Sequence, residues 1–365
     1  MNLDLSQLIE NYKGKGDKLS DPLRGGLRVE IPSGFALAAL RDTKQSSFAR
    51  DLLAVVRGKQ LPSGAWEEFA YAERERKIAY DGTVPTCFAV IALVRGFKKF
   101  GLSEYFDAAK RGVDYLYGRE KNGYFQKASF NKSDVVNTNL LAGLALLEFA
   151  SILDSENSFK GALVAGANRA LLRSVKSQFP NGAFPYISFG FSIPFLYQAM
   201  STALMGICAR ETSNQLAQYS FQKGLRYLRK IIGEDGKFLW RKSNHKDKEG
   251  AVWAYGWAAA AFSIAGDEKY RDRVNQRLNE LRGKEFMKAG DFDERDDLFF
   301  TAWTVMALSL GDGLITPLRA ASPWSAAWFC FIHLLALPPR VAYLTKIIQR
   351  NVFWKVIDKG PAEDY

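Results

Sequence analysis

A glycine turn that recurs five times constrains the fold of this 365-residue chain more than any other feature of its sequence. The clearest copies read Gln60-Leu-Pro-Ser-Gly64-Ala-Trp66 and Gln178-Phe-Pro-Asn-Gly182-Ala-Phe184. Weaker copies are centred on Gly123, Gly236 and Gly290, so that consecutive turn glycines are 54 or 59 residues apart. A period of this length holds two helices and two loops, which predicts a tandem array of helical hairpins.

The helices on the two sides of each turn differ in character. Segments before the turns, such as 105–116 and 221–228, carry charges along one face and apolar residues every three or four positions, which predicts solvated outer helices. Segments after the turns are apolar almost all round, which predicts buried inner helices at 87–97, 138–150, 196–209, 252–265 and 299–310. This alternation predicts an all-α fold, an α/α toroid (barrel) of five to six helical hairpins. Residues 34–40 are the candidate for a sixth inner helix.

The turns themselves lead to two structural expectations. A chain that reverses after a helix needs positive φ, which predicts that conformation for Gly64, Gly123, Gly182 and Gly236. The aromatic residue two positions later is expected to pack into the joint between neighbouring hairpins, at Trp66, Phe125, Phe184 and Phe238.

The Gln-x3-Gly-x-Trp pattern after a basic amphipathic helix resembles the repeat of the squalene cyclase and protein prenyltransferase superfamily. Six-hairpin glycosidases, α/α polysaccharide lyases and toroid proteins of bacterial surface-polysaccharide clusters use the same double-ring architecture. The resemblance spans roughly residues 45–312, by the extent of the repeats. It implies the fold but no single chemistry, because this fold hosts several unrelated reactions.

Composition fits one large helical domain, 1–316, followed by a tail, 317–365. With 47% hydrophobic and 13% aromatic residues, the chain is not globally disordered. Its three cysteines, Cys87, Cys208 and Cys330, have no CxxC spacing, which favours a reducing compartment. The N-terminal residues lack the pattern of a cleavable signal peptide. We therefore expect a cytoplasmic protein, which favours a biosynthetic over a secreted degradative role.

The net charge of +11 indicates either an anionic substrate or an anionic membrane face. Anionic substrates of the right class are a uronic-acid glycan, a nucleotide sugar and a polyprenyl diphosphate. A solvated surface with a bias towards lysine and arginine explains the charge equally well. The sequence contains no nucleic-acid-binding motif, so we expect no nucleic-acid partner.

The tail is predicted to be a C-terminal amphipathic helical segment. Residues 322–337 are apolar but too few for a transmembrane helix, and residues 340–355 mix aromatics with evenly spaced cations, as interfacial helices do. Two alternatives are open for residues 322–355: packing on the toroid, or peripheral contact with an anionic membrane. Membrane contact would imply a lipid-linked saccharide as substrate or product.

Chemistry in a toroid is expected in the central cavity, near the beginnings of the inner helices. Paired carboxylates can divide acid and base duties, and the catalytic candidates at these ends are Asp81, Asp134, Glu249, Asp296 and Asp297. Aromatic rings are platforms for sugars or for isoprenoid carbocations, and buried amides need a bonding partner. The predicted substrate-binding residues are Asn137, Asn139, Tyr197, Gln198, Trp253, Trp257 and Trp303.

Structural alternatives exist for several of these residues. Asp81, Asp134 and Asp296 precede apolar helices, where aspartate is a favoured N-cap. Trp253 and Trp257 are four residues apart and share one helix face, whereas Tyr255 between them points elsewhere.

The acidic cluster at 291–297 resembles the Asp-x-Asp-Asp-Thr-Ala acid motif of type II terpene cyclases. The aligned tetrad is Glu294-Arg295-Asp296-Asp297, and Thr301-Ala302 follow three residues late. The resemblance would make Asp296 the proton donor, whereas an exposed acidic turn is the simpler account. With only His245 and His333 in the chain, no metal site is predicted, and no cofactor motif is present.

Three functional hypotheses follow. The first is a carbohydrate-active enzyme of surface-polysaccharide or glycolipid biosynthesis that acts on a saccharide in the central cavity by carboxylate acid/base chemistry. The second is a type II terpenoid cyclase, which would need a near-continuous aromatic lining around one isolated acid, whereas a sugar site needs many polar partners. The third is a non-catalytic scaffold that binds a glycan or a partner protein, with no two carboxylates in working range of each other.

Overall fold

In a computed structural model, the structure describes residues 5–13, 28–69, 79–128, 131–240, 251–283, 286–290, 293–296, 298–311 and 323–342. Helices of two classes alternate along these residues. The inner helices are α2 (Glu30–Ala39), α4 (Thr83–Phe100), α6 (Val136–Ala150), α8 (Phe195–Thr212), α10 (Val252–Ala265) and α12 (Leu298–Gly311). The outer helices are α1 (Leu5–Lys13), α3 (Ser46–Gly58), α5 (Ser103–Gly118), α7 (Ser158–Ser177), α9 (Gln215–Ile231) and α11 (Glu268–Glu280).

The inner helices form a closed ring. Each packs against the next, and α12 packs against α2, which closes the circle. At this closure a Cβ atom on Gly34 would overlap the carbonyl oxygen of Ala302, so glycine lets α2 and α12 approach closely. The predicted α/α toroid is confirmed, and its described part has six inner helices. Residues 34–40, the candidate for the sixth, lie in and directly after α2.

The outer helices cover the ring, and from α3 onward each packs mainly on the inner helix that precedes it. For example, α9 exposes its charged side and buries Phe221, Leu225 and Leu228. The inner helices are buried almost all round: every residue of α10 except Ser263 and Ala265 is buried. Each large apolar side chain moved out of water contributes roughly 1.5–3 kcal/mol, so this double layer is the main source of stability.

The turn glycines have the predicted conformation. The φ angles of Gly64, Gly123, Gly182 and Gly236 lie between 77° and 96°. Each glycine also contacts the backbone carbonyl of a basic residue on the next outer helix, where a Cβ would collide. These residues are Arg111, Arg169, Lys223 and Arg273. The repeat therefore joins one hairpin to the next, and part of the basic charge lies at these joints.

The glutamine of the clearest repeats has a structural role at the same joint. The Gln60 amide donates to the carbonyl of Gly64 at 2.9 Å and to that of Ala108 on α5 at 2.8 Å. Gln178 makes the equivalent bonds to Gly182 at 2.9 Å and to Ser220 on α9 at 3.0 Å. One amide thus closes its own turn and ties it to the following hairpin.

Each turn is also tied to the inner helix that it introduces. In five hairpins a turn residue donates its backbone N–H to the side chain of the fourth residue of the following inner helix. The pairs are Trp66 with Thr86, Phe125 with Asn139, Phe184 with Gln198, Phe238 with Tyr255, and Met287 with Thr301, at 2.7–3.2 Å. The four aromatic residues after the turns are buried, as expected.

Within the described residues, three short antiparallel strand pairs lie in the turns, an addition that the helical pattern did not predict. They are β1 (Trp66–Phe69) with β2 (Ala79–Gly82), β3 (Glu120–Lys121) with β4 (Tyr124–Phe125), and β5 (Lys288–Gly290) with β6 (Asp293–Asp296). Isolated bridges link one turn to the next, for example between Gly82 and Ala128 and between Val135 and Ile187. The outer-to-inner turns therefore form a rim at the end of the ring where the inner helices begin.

The described part of the tail forms helix α13 (Pro323–Leu335) and a further helical stretch at 337–342. Helix α13 packs on α7 and α9, outside the ring. The ring nitrogens of His333 contact the carbonyls of Phe329 and Gln178, and the Arg340 guanidinium donates to the carbonyls of Ser177 and Gln178 at 3.0 and 2.9 Å. Packing on the toroid, one of the two alternatives, is thus observed for one face of α13. Residues 343–355 lie outside the described residues.

Candidate functional site at the rim of the inner helices

A chain of aromatic rings links four of the inner helices. Phe88 on α4 contacts Trp303 on α12, with ring centroids 4.7 Å apart, although α2 separates these helices in the ring. Trp303 contacts Trp253 on α10 at 5.2 Å, and Trp253 contacts Tyr197 on α8 at 5.5 Å. Tyr186, in the turn before α8, completes the chain at 4.8 Å from Tyr197. We call these five residues the aromatic chain.

Four charged residues meet near the beginnings of α2 and α4. Glu68 on β1 lies against Gly82 and Pro85, and its carboxylate is 3.7 Å from the Lys127 ammonium. Arg28 and Glu30, at the start of α2, are buried and interact electrostatically with Glu68. We call Arg28, Glu30, Glu68 and Lys127 the charged cluster. Its members come from three different hairpins.

Burial sets the ionisation of Glu68. The pKa of this carboxyl is raised to about 7. Removal from water is the main cause, and the negative charge of Glu30 acts in the same direction. Lys127 and Arg28 act in the opposite direction without cancelling the effect. Burial, together with the Glu68 charge, also raises the pKa of the nearby Tyr80 hydroxyl to about 12. Near neutral pH, Glu68 can therefore both donate and accept a proton.

A glycine makes room for this carboxyl. In the β1–β2 pair Trp66 lies opposite Gly82, and a Cβ on Gly82 would be 2.9 Å from the Glu68 Oε2 atom. No hydrogen bond reaches this buried oxygen within the part of the chain that the structure describes. The Oε1 atom of Glu68 thus faces Lys127. The Oε2 atom is a buried acceptor whose hydrogen-bonding capacity a ligand or a water molecule could satisfy.

Asp134 has the environment of a structural ion pair. Its carboxylate accepts hydrogen bonds from Arg173 on α7 at 2.6 Å, from Ser188 at 2.6 Å and from Asn139 at 2.7 Å. Asp81 lies on β2 opposite Glu67, and its backbone carbonyl accepts from the Tyr115 hydroxyl. The capping alternative is wrong for both aspartates, because the N-caps of α4 and α6 are Gly82 and Val135 and neither helix has a side-chain cap.

The three predicted amides separate into two kinds. Asn139 and Gln198 are the fourth residues of α6 and α8, and they accept the turn N–H bonds described above. These bonds satisfy the requirement for a partner that motivated their prediction as substrate ligands. Asn137 differs, because it is buried and its amide nitrogen reaches only the Met200 sulphur, at 3.7 Å. Among the described residues, none donates to its Oδ1 atom.

The predicted aromatic residues are brought together more fully than the acids. Tyr197, Trp253 and Trp303 are members of the aromatic chain. Trp257 is fully buried one turn further along α10. Tyr255 packs instead on Phe238 of the preceding turn, so the predicted divergence of Trp253 and Tyr255 is confirmed.

Of the three predicted acids that precede α10 and α12, only Asp296 is among the described residues. Glu249 and Asp297 lie outside the described residues. Asp296 is in β6, where its backbone pairs with Lys288. Their roles stay predictions. Within the described ranges no group of His, Cys, Asp and Glu could hold a metal ion, and none of the helices is long and apolar enough to cross a membrane.

Sequence reasoning missed Glu68 and the charged cluster. The available signal was the pair Glu67-Glu68 directly after the turn aromatic Trp66. In a strand, two consecutive residues point to opposite faces, so one of two adjacent glutamates must face inward when the strand lies on a core.

Comparison with known proteins is informative at the level of the fold. No protein-family model matches the sequence, and no curated protein matches it either. Among solved structures, the chain is similar to the unsaturated glucuronyl hydrolase of Bacillus sp. GL1, at 14% identity over 85% of this chain and 96% of that one, with a TM-score of 0.63. The shared fold is the α/α toroid.

Two further solved structures have the same fold. A D-mannose isomerase is 11% identical over 84% of this chain and 96% of that chain, with a TM-score of 0.62. A cellobiose 2-epimerase from Bacillus thermoamylovorans is 13% identical over 84% and 98%, with a TM-score of 0.58. These neighbours are carbohydrate-processing enzymes. The comparisons support the toroid and give no separate support for the prenyltransferase-like repeat.

Proposed function

We propose that this protein is a carbohydrate-active enzyme that binds a saccharide at the rim where the inner helices begin. The observation that carries the proposal is Glu68, a largely buried carboxyl, 13% exposed, whose pKa is raised to about 7 beside a second carboxylate and two cations. Such a group can exchange a proton with a bound substrate in either direction. Proton exchange is common to transfer, epimerisation, elimination and hydrolysis, and the proposal covers all four.

The charged cluster suits an anionic saccharide. When Glu68 is protonated, Arg28 and Lys127 outweigh Glu30, so the cluster attracts a carboxylate or phosphate on the sugar. A uronic-acid glycan and a nucleotide sugar both have this chemistry. Surface-polysaccharide or glycolipid biosynthesis, with a saccharide or lipid-linked saccharide as substrate, is the setting that the basic charge and the tail support.

The aromatic chain would form the floor of the site. Trp253 and Trp303 are the members with the largest rings, and sugar rings stack on such faces through their C–H groups. Asn137 Oδ1 adds a buried acceptor that a substrate hydroxyl could satisfy. Glu30 is one candidate for a second catalytic carboxylate. The other candidates are Asp81, Glu249, Asp296 and Asp297.

One observation also favours the terpenoid cyclase, since a carbocation needs aromatic faces and the aromatic chain provides four ring contacts in succession. That chemistry needs one isolated acid. Glu68 has two cations and a carboxylate around it, which favours the saccharide. The scaffold hypothesis requires carboxylates that do not interact, whereas the charge of Glu30 raises the pKa of Glu68.

The proposal is tested by turnover of saccharides. Purified protein is incubated with unsaturated glucuronyl oligosaccharides, mannose, cellobiose and nucleotide sugars, and anomeric proton signals are followed by NMR. We expect turnover of one of these classes. Glu68→Gln should lower the rate at least about 100-fold, the lower end of the effect of a general acid or base. Glu67→Gln, on the opposite face of the same strand, is the matched control and should retain activity.

Two results would overturn the proposal. One is the absence of both turnover and binding for every saccharide class. The other is equal activity of Glu68→Gln and the unsubstituted protein on a saccharide that is turned over. Conversion of a polyprenyl substrate, with the saccharides inert, would establish the cyclase instead.

A further inference from the structure

Helix α13 has one buried face and one exposed face. One face packs on α7 and α9 and buries Ser325, Phe329, Ile332, His333 and Ala336. The other face is apolar and exposed, and it consists of Trp324, Trp328, Phe331 and Leu335, which we call the tryptophan face. These four residues recur at intervals of four, three and four, so they form one stripe along the helix.

The exposure of this stripe is large. Trp324 and Trp328 are 77% and 56% exposed. The large apolar residues that are exposed in the described part of the chain number eight, and six of them lie between 324 and 341. Leu172 and Phe191 are the other two. A contiguous apolar patch of this kind marks a binding surface rather than an ordinary solvated helix.

The tail is fixed on the toroid in one orientation. His333 and Arg340 contact the carbonyl of Gln178, in the turn between α7 and α8. Phe329 packs on Tyr219 of α9, with ring centroids 5.0 Å apart. Because the α7–α8 turn belongs to the rim, the part of the tail from His333 to Arg340 lies on the same side of the ring as the candidate site.

The charged residues that flank the tryptophan face in the sequence are all basic. Helix α13 contains no Lys, Arg, Asp or Glu. Between Asp312 and Asp358 the sequence has no acidic residue, whereas it has five basic ones: Arg319, Arg340, Lys346, Arg350 and Lys355. A second copy of the chain would carry the same excess of basic residues in its own tail. An anionic lipid surface is the complementary partner, and tryptophan is enriched at membrane–water interfaces.

We propose that the tryptophan face inserts into the interfacial layer of an anionic membrane, to which the basic charge of the tail sequence attracts it. The surface is then a docking site that holds the rim of the toroid near the bilayer. This inference rests on the proposed function only for the identity of a lipid-linked saccharide. Lipid binding itself requires no substrate and no turnover.

The experiment is co-sedimentation of the full-length protein with lipid vesicles. One set contains phosphatidylcholine with phosphatidylglycerol, and the other contains phosphatidylcholine alone. We expect binding to the anionic vesicles that weakens as salt is added, because salt screens exposed charges. The double variant Trp324→Ser with Trp328→Ser should lower the partition coefficient at least about tenfold, since two interfacial side chains lose their apolar contact.

Leu172→Ser is the matched control. Leu172 is an exposed apolar residue on α7, 37% exposed and outside the tryptophan face, so vesicle binding should not change. Far-ultraviolet circular dichroism of each variant checks that the helices persist. Turnover of a water-soluble saccharide by the double variant should equal that of the unsubstituted protein, which separates docking from catalysis.

Three outcomes would overturn the inference. The first is no binding to anionic vesicles. The second is binding that the double tryptophan variant leaves unchanged. The third is a dimer in analytical ultracentrifugation that the double variant converts to a monomer, which would make the tryptophan face an interface between two copies of this chain.

Discussion

Glu68→Gln is expected to stabilise the protein at alkaline pH and to change its stability little at acidic pH. Burial raises the pKa of this carboxyl from 4.5 to about 7 in the folded chain. Below pH 4.5 the carboxyl is neutral in both the folded and the unfolded chain, and glutamine mimics the neutral form. As the pH rises through 7, the folded wild-type chain has to ionise a buried group, whereas the variant does not.

The magnitude follows from proton linkage. A group whose pKa is raised by folding contributes stability that is complete below its unfolded pKa and is lost as the pH rises through the folded pKa. The interval from pH 4.5 to about 7, at about 1.4 kcal/mol for each pH unit, corresponds to roughly 3 kcal/mol. The wild-type protein loses this stability over the interval, and Glu68→Gln keeps it.

The assay is urea unfolding of both proteins, followed by circular dichroism. The free energy of unfolding of the variant minus that of the wild type should increase by roughly 2–3 kcal/mol between about pH 5 and about pH 8. Glu67→Gln removes the same formal charge from the other face of the strand and should show no such increase. A difference that is equal at both pH values, or that decreases with pH, would refute the assignment of Glu68 as a buried, neutral carboxyl.

Two further perturbations test the turns and the tail. Gly64→Ala should destabilise the protein by at least about 1 kcal/mol more than Gly101→Ala. Both glycines have positive φ, but only a Cβ at position 64 would meet a backbone carbonyl oxygen, that of Arg111 at 2.5 Å. Thermal unfolding measures the difference, and equal unfolding midpoints for the two variants would contradict the prediction. Burial lowers the pKa of His333 from 6.5, and Arg340 and Lys223 act in the same direction. Docking of α13 should therefore be stable above pH 6.5 and weaken as the pH falls through the lowered pKa, which limited proteolysis of the tail would detect and which His333→Gln should abolish.

The ring was predictable because its determinants are local. The turn at Gly64 and its copies need positive φ, which selects glycine, and helices such as α10 show their burial by being apolar on every side. That the ring closes was predictable, but the contact that closes it was not. The contact of Gly34 with Ala302 joins residues at opposite ends of the toroid sequence, so no local pattern shows which helix completes the circle.

The charged cluster was not predictable for the same reason. Glu68 meets Arg28, Glu30 and Lys127 only because the fold brings these residues to it from other hairpins. Asp134 was identified by its position before a helix, where capping is a sound local rule. Its actual partner, Arg173, is on the next outer helix, and a tertiary ion pair replaced the local cap.

The bonds from the turns to the inner helices limit sequence reasoning in another way. Threonine, asparagine, glutamine and tyrosine all occupy the fourth position of an inner helix, and all accept the same kind of N–H bond. The geometry requires an acceptor at a given place and not a given residue type. Polar residues such as Asn139 and Gln198 therefore resemble ligands in the sequence although they have structural partners.

Closure of the ring by α2 and α12 has a consequence for the order in which the protein matures. During synthesis, every hairpin except the last can form while the ring is still open. At that stage α2 packs against only one inner helix, α4, because α12 has not yet been made. Trp303, which joins Phe88 to Trp253, arrives with the final hairpin. The floor of the proposed site is thus complete only when the circle closes, and a chain that lacks the last hairpin lacks both contacts of Trp303.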